Sequence, residues 1–345
     1  MTEPGTLMRS EIAEAPGAFA RALAESVSND AKKALIALNL PQVRAFYTIA
    51  RGSSDAAANI LAYEFMRELG KPVTSLPPSV FSLGTGVDLT GSAALVISQS
   101  GASEDLVRSA TGARKSGAAV IALINKPGSP VEAAANLTLP LLAGPELAVP
   151  ATKSVIAAIA AGMALLSALC PAYAARAKAT GASLATLTGQ EFPDHKALVA
   201  AFLRAQHIYV IGRDTGYGAA QELALKLKET CALHAEAYSS SEVLHGPLQL
   251  VTKPLLVVIL DTEQADVQNS LDTAESRFRA AGGAVVRLRP STAGATGLTP
   301  AAAAAALLCL AYPLVLATAL ALGQNPDSPA NLSKVTQTQI GRAHV

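Results

Sequence analysis

Short apolar runs rich in β-branched residues alternate along this chain with longer Ala/Leu stretches of helical period. The runs at 45–50 (AFYTIA), 93–97 (AALVI), 118–124 (AAVIALI), 137–141 (LTLPL), 207–211 (HIYVI), 255–260 (LLVVIL) and 284–288 (AVVRL) read as strands. They are continuously apolar rather than alternating, so both faces of each sheet must be covered. That pattern predicts an α/β chain with mainly parallel sheets and helices on both faces, a three-layer αβα arrangement.

The pattern also repeats. IARGSSDAAANILAYEFMREL (49–69) lies without a gap over IGRDTGYGAAQELALKLKETC (211–231), each copy reading strand, small polar turn, helix. LVISQSG (95–101) has its counterpart near VVILDTE (257–263). Two tandem domains are expected, at 41–175 and 201–323. A helical lead-in over 1–40 precedes them, a linker over 176–200 joins them, and a tail over 324–338 follows. The copies differ after their second strand. The first carries a Ser- and Gly-rich loop. The second carries Leu260, Asp261, Thr262 and Glu263, an acidic loop hostile to phosphate.

With 345 residues the chain can bury two cores. Half the residues are hydrophobic and 15% are charged, but Ala supplies much of the apolar share, which points to closely packed helices. Two charge-free stretches, 154–175 and 299–323, are long enough to span a bilayer. Both are mostly Ala with an internal Pro171 or Pro313, and Ala favours insertion far less than Leu, Ile or Phe. They are expected to be helices buried between layers or in a dimer contact, with no membrane partner. The net charge of +1, the absence of Trp and the lack of a Lys/Arg run leave no footprint for nucleic acid. Cys170, Cys231 and Cys309 form no CxxC pair, and the start carries acids without an apolar core; a reducing, cytoplasmic location is expected.

Candidate chemistry begins at VISQSGASEDL. An apolar strand runs through Ser98, Gln99, Ser100, Gly101 and Ser103 into a helix. A helix start beyond a strand's carboxyl end offers free N–H groups and a positive dipole end, and the Ser and Gln side chains add donors suited to a dianionic phosphate. Without GxxxxGK[ST], a phosphate monoester fits better than a nucleoside triphosphate. The same residues also read as a helix cap, Ser100 or Ser103 capping while Glu104 and Asp105 favour the dipole, and the loop alone does not choose between the two. Ser54, after the first strand, would face the same crevice. In QELALKLKETC, Leu223, Leu227 and Thr230 lie on one side and Glu222, Lys226 and Glu229 on the other, which by spacing alone predicts a solvated, salt-bridged face. His245 sits in a loop before Gly246 and Pro247. No HExxH or Cys/His cluster supports a metal.

Five segments in order, SQSG (98–101), ATKS (151–154), LKLKE (225–229), HAEAYSSSEVLHGPL (234–248) and NPDSPANLSKVT (325–336), carry a family resemblance. From about Met8 to about Thr336 the chain resembles the isomerase half of glucosamine-6-phosphate synthase, two sugar-isomerase (SIS) domains. It resembles more closely the glutaminase-lacking amino-sugar-phosphate deaminases. The resemblance implies phosphate binding by Ser98, Gln99, Ser100 and Ser103, with Ser54 a further contact. It implies that Glu229 moves a proton between C1 and C2 with Lys226 beside it, and that His245 opens the ring from a neighbouring subunit. Lys334 would contact the open sugar and can form a Schiff base with the ketose; Val149 would contact the sugar. A carboxylate and an imidazole are suitable residue types for such proton transfers.

The expected reaction is conversion of glucosamine 6-phosphate and water to fructose 6-phosphate and ammonia, in a homodimer with a shared site, with no metal or organic cofactor. No glutaminase segment precedes the resembling region in this sequence, which tilts the expectation towards hydrolytic deamination, or towards use of free ammonia or another amine. Pro150 and Ala151 stand where synthases carry Ala and Ser, a departure close to the C1–C2 region. Alternatives are an aldose–ketose isomerase, a fructosamine-phosphate deglycase, or a non-catalytic sugar-phosphate regulator; the last would be expected to carry a DNA-binding helix-turn-helix. The final residues 339–345 (QIGRAHV) do not continue the family tail and are expected to be non-native read-through.

Overall fold

The structure, a computed structural model, describes residues 3–252 and 254–334. The lead-in is helical, α1 (Thr6–Glu25) and α2 (Asn29–Ala37). There follow β1 (Phe46–Ile49), α3 (Gly52–Leu69), β2 (Val73–Ser75), α4 (Ser79–Ser82), β3 (Ala93–Ser98), α5 (Glu104–Lys115), β4 (Ala119–Ile124), α6 (Pro130–Ala134) and β5 (Leu137–Pro140). Helices α7 (Lys153–Leu169), α8 (Pro171–Ala185) and α9 (His195–Arg204) lead to the second sheet. This contains β6 (His207–Gly212), α10 (Thr215–Cys231), β7 (Ala235–Ser239), β8 (Leu255–Leu260), α11 (Ala265–Ala280) and β9 (Ala284–Leu288), and α12 (Pro300–Ala321) closes the fold.

Both sheets are wholly parallel, in the orders β2-β1-β3-β4-β5 and β7-β6-β8-β9. All seven strands read from the sequence form. Along β3, Leu95 and Ile97 enter one core while Ala94 and Val96 enter another. Along β8, Leu256, Val258 and Leu260 join the same core as Leu95, and Leu255, Val257 and Ile259 enter a third. The period of two thus gives each sheet an outer core and a share of one central layer, where α1, α3, α7, α10 and α12 pack between the sheets.

Three expectations need correction. The 176–200 segment is mainly helical, because α8 runs to Ala185 and α9 begins at His195. Two short strands, β2 and β7, were not anticipated. The face carrying Glu222, Lys226 and Glu229 is not solvated: the Glu222 and Lys226 side chains are 0% and 1% exposed, because α3 and α12 cover α10. The charge-free helix α12 is long and apolar enough to cross a membrane, and 83% of its apolar window is buried inside the protein.

Candidate functional site

In the first sheet the strand order reverses direction between β1 and β3, and the loops leaving their carboxyl ends diverge to form a crevice. Ser54, on the first turn of α3 after β1, and Ser98, Gln99, Ser100 and Ser103 after β3 line one cleft there, of about 430 Å³. Ser98 is buried and its Oγ accepts the Gly101 N–H at 3.0 Å, which tightens the turn. Gly101 has φ +60°, and a Cβ there would lie 2.2 Å from Ser129 Oγ, so packing as well as conformation demands glycine. Ser103 holds the N-cap position of α5 but its hydroxyl makes no capping bond. The capping reading of Ser103 therefore fails, and the hydroxyl is left facing the cleft.

Two further residues at this site, one in the cleft lining and one buried behind it, were not singled out in the sequence. Arg51 lines it, with Nε and Nη2 at 2.7 and 2.6 Å from Oδ2 of the buried Asp105. That pair supplies the cation the serine loop lacks and holds it in place. The signal was the internal repeat, which aligns Arg51 with Arg213. The second is Glu146. Its carboxylate is fully buried and accepts from Thr152 N and Ser154 N (both 3.0 Å) and Ser154 Oγ (2.6 Å), satisfying donors at the start of α7. It also takes Lys334 Nζ at 3.3 Å, while Ala148 O accepts the same ammonium at 2.6 Å. Lys334 is thereby fixed at the cleft wall. The tail that carries it is pinned upstream by Asp327, whose carboxylate caps α1 through Leu7 N and Met8 N and whose carbonyl accepts Val149 N–H at 2.9 Å.

Helix α10 lies against α3 at closest approach through Gly218, where a Cβ would meet Ile60 Cγ1 at 2.6 Å and Ala56 O at 2.9 Å. This sets Glu222 beside Ser53, one residue before the cleft's Ser54. Tyr312 of α12 donates to Glu222 at 3.1 Å. Burial pushes the Glu222 carboxyl up to about 7 against the pull of Lys226, and the Glu229 charge adds to the rise. Burial alone would lower Lys226, but Glu222 and Glu229 outweigh it, with Glu146 contributing, so the ammonium stays charged. Lys226 donates directly to Glu229, whose side chain is 24% exposed. A chain of alternating charges thus runs from the cleft inward: Lys334, Glu146, Lys226, then Glu222 and Glu229.

His245 is exposed, at the end of a 3-10 turn after β7, and is not among the residues lining this cleft. Val149 enters through its backbone bond to the tail, and its side chain is not in the cleft lining. In the second domain the equivalent crevice is filled from within. Asp261 is fully buried and takes Arg287 Nε (2.9 Å), Arg289 Nε (2.8 Å) and Gln268 Nε2 (2.8 Å). Burial would raise this carboxyl, but the hydrogen bonds win and hold it below the ordinary range. Arg213, the repeat partner of Arg51, is spent on Ser239 and Ser241.

Comparison with known proteins gives the family and the fold. The SIS domain model matches residues 40–168 and 201–288. An Aeropyrum pernix protein named glutamine–fructose-6-phosphate aminotransferase [isomerizing] is 31% identical over 300 residues, covering 79% of this chain and 47% of the relative. A Symbiobacterium thermophilum protein of the same name is 33% identical over 266 residues, 70% of this chain and 43% of the relative. This chain spans about half the length of the curated relatives it matches. A Silicibacter pomeroyi crystal structure, provisionally described as a phosphosugar isomerase, superposes with TM-score 0.82 at 33% identity, covering 93% of this chain and all of that one. The C-terminal domain of glucosamine-fructose-6-phosphate aminotransferase from Francisella tularensis shares the fold, with TM-score 0.78 at 22% identity over 94% of this chain and 98% of that one. The chain therefore belongs to the SIS-domain family, with the domain matched in two successive segments on a phosphosugar-isomerase fold.

Proposed function

We propose that this protein is an amino-sugar 6-phosphate deaminase/isomerase, converting glucosamine 6-phosphate and water to fructose 6-phosphate and ammonia. The observation that carries this reading is the convergence of Ser54, the 98–103 loop, Arg51 and Lys334 on one cleft, backed by the Glu146–Lys226–Glu222/Glu229 cluster. The hydroxyl-rich, cationic end suits a phosphate dianion. The carboxylate–lysine cluster that begins behind Lys334 suits proton transfer along a carbon chain.

In this mechanism the phosphate anchors the sugar, and the open-chain 2-amino-aldose loses its C2 proton to Glu229. Charged Lys226, which donates to Glu229, orients that carboxylate and stabilises charge developing on the enolamine. Return of the proton to C1 leaves an imine at C2. Water adds there, the C–N bond breaks, and ammonia departs with fructose 6-phosphate. His245, away from its own chain's cleft, would open the ring of a substrate held by a second copy. The names of the relatives, fructose-6-phosphate aminotransferases, support the same pairing of amine and ketose phosphate.

The test is incubation of purified protein with glucosamine 6-phosphate, with ammonia and fructose 6-phosphate measured together. Equal release of both is expected. Interconversion of glucose and fructose 6-phosphates without ammonia would make it an aldose–ketose isomerase, and binding without turnover a sugar-phosphate sensor.

A further inference from the structure

A second cavity, of about 240 Å³, lies between α1, α12 and the segment leading into α9. Its walls include Arg9, Ile12 and Pro16 on one stripe of α1, Cys309 and Leu316 on α12, and His195. The lining is mainly apolar, and the volume is below the usual 300–1,000 Å³ or so of drug-sized sites, which restricts an occupant to a small molecule. Two polar groups at the cavity make no side-chain hydrogen bond among the described residues. The exposed Arg9 guanidinium makes no hydrogen bond or ion pair with any described residue. His195 Nδ1 is buried without a hydrogen bond, the Glu191 carboxylate standing 3.4 Å away.

The opposite stripe of α1 reaches the sugar-phosphate cleft. Glu11 accepts the Leu147 and Ala148 N–H groups, and Ala148 O holds Lys334. Glu14 pairs with the buried Lys153 at 2.5 Å, at the start of α7. The first turn of α1 is capped by Asp327 of the tail that carries Lys334, and that tail issues from α12. Both helices that wall the cavity therefore also fix the position of Lys334.

We propose that this cavity binds a small amphipathic carboxylate, its apolar body between α1 and α12 and its carboxylate on Arg9, and that occupancy changes the affinity of the Lys334 cleft for sugar phosphate. A molecule held there touches both helices that position the tail, so any preference it has for one spacing of α1 and α12 is passed on to Lys334. Linkage then requires the two ligands to alter each other's affinity by the same factor.

Octanoate is a suitable probe and octylamine its charge-reversed control. Calorimetric titration of the full chain is expected to show saturable octanoate binding. Arg9→Ala, a change to an exposed side chain, should weaken it by about tenfold or more. Ala317→Phe, which fills the cavity, should abolish it, and octylamine should not bind. Saturating octanoate should shift the fructose 6-phosphate dissociation constant by about threefold or more. That constant is read by binding, so the outcome is independent of whether the protein turns over glucosamine 6-phosphate. Equal octanoate affinity in Arg9→Ala, equal binding of octylamine, or an unchanged fructose 6-phosphate affinity would each overturn the proposal. So would sedimentation showing that Arg9→Ala dissociates an oligomer, which would make this face a contact between copies.

Discussion

Glu229 reaches partial exposure while Lys226 and Glu222 behind it are sealed from water. The proposed proton carrier is not in the lining of the serine cleft, but its side chain is open on one side, and it rests on buried groups that solvent does not screen. Replacing Glu229 by Gln keeps the shape and removes the base. Turnover should fall by about 10²–10⁴, while the affinity for fructose 6-phosphate, set mainly at the serine loop and Arg51, stays within about twofold. Equal losses of turnover and affinity would show that Glu229 acts as a binding residue. A second buried carboxyl lies outside the cleft. Glu64 accepts from Tyr173 Oη at 2.9 Å and from Ala301 N at 3.3 Å, on the first turn of α12, and burial pushes it up to about 7 from an ordinary 4.5. Between those values the folded chain holds a proton that the unfolded chain has released. This contribution to stability is therefore complete below about 4.5, declines as pH rises, and is lost above about 7. At pH 8 the buried charge costs about 3 kcal/mol. Glu64→Gln can keep both contacts without a charge if its Oε1 accepts from Ala301 N and its Nε2 donates to the Tyr173 hydroxyl, which reverses to accept. It should raise stability at pH 8 relative to the wild type, and the difference should shrink at pH 5, as read by urea denaturation at both pH values. A pH-independent difference would place the titration elsewhere.

The contact between α3 and α10 joins the two halves of the site, since one helix carries Ser54 in its first turn and the other carries Glu229. Gly218→Ala puts a methyl group into Ile60 and the Ala56 carbonyl, so the helices must separate. A cost of about 1–3 kcal/mol is expected, visible as a lower melting temperature, together with a fall in turnover larger than the change in phosphate-ester affinity. Unaltered kinetics in a destabilised variant would mean that this spacing is not what couples the halves. The same pair of helices shows what sequence patterning conveys. The strands with continuous apolar runs were legible because burial on both faces leaves no other pattern. The strands β2 and β7 were not, because each is the edge of its sheet and carries the partly polar sequences VTS and AEAYS. Along α10 the period separates Leu223 and Leu227 from Glu222, Lys226 and Glu229, but it cannot say that a second helix covers the charged side. Glu146 escaped notice because its role comes from four donors brought together only by folding.

Across the whole molecule, one proposed participant sits apart from the rest. His245 is exposed on the second domain while Ser54, Arg51, Lys334 and the serine loop gather beside the first, so a ring-opening role requires a second copy to present its histidine. A closed two-fold pair would do this reciprocally, each subunit lending His245 to its partner. Glu229→Gln and His245→Ala homodimers should each be inactive. In a hybrid of the two, the site built on the His245→Ala chain has its own Glu229 and receives an intact histidine, whereas the other site lacks both. Random exchange makes half the dimers hybrid, each with one working site of two, so an equimolar refolded mixture should recover about a quarter of wild-type activity. If His245 served its own chain, every site in the mixture would still lack one of the two groups. Hybrids confirmed by tagged purification would then remain inactive, and the shared-site arrangement would be excluded.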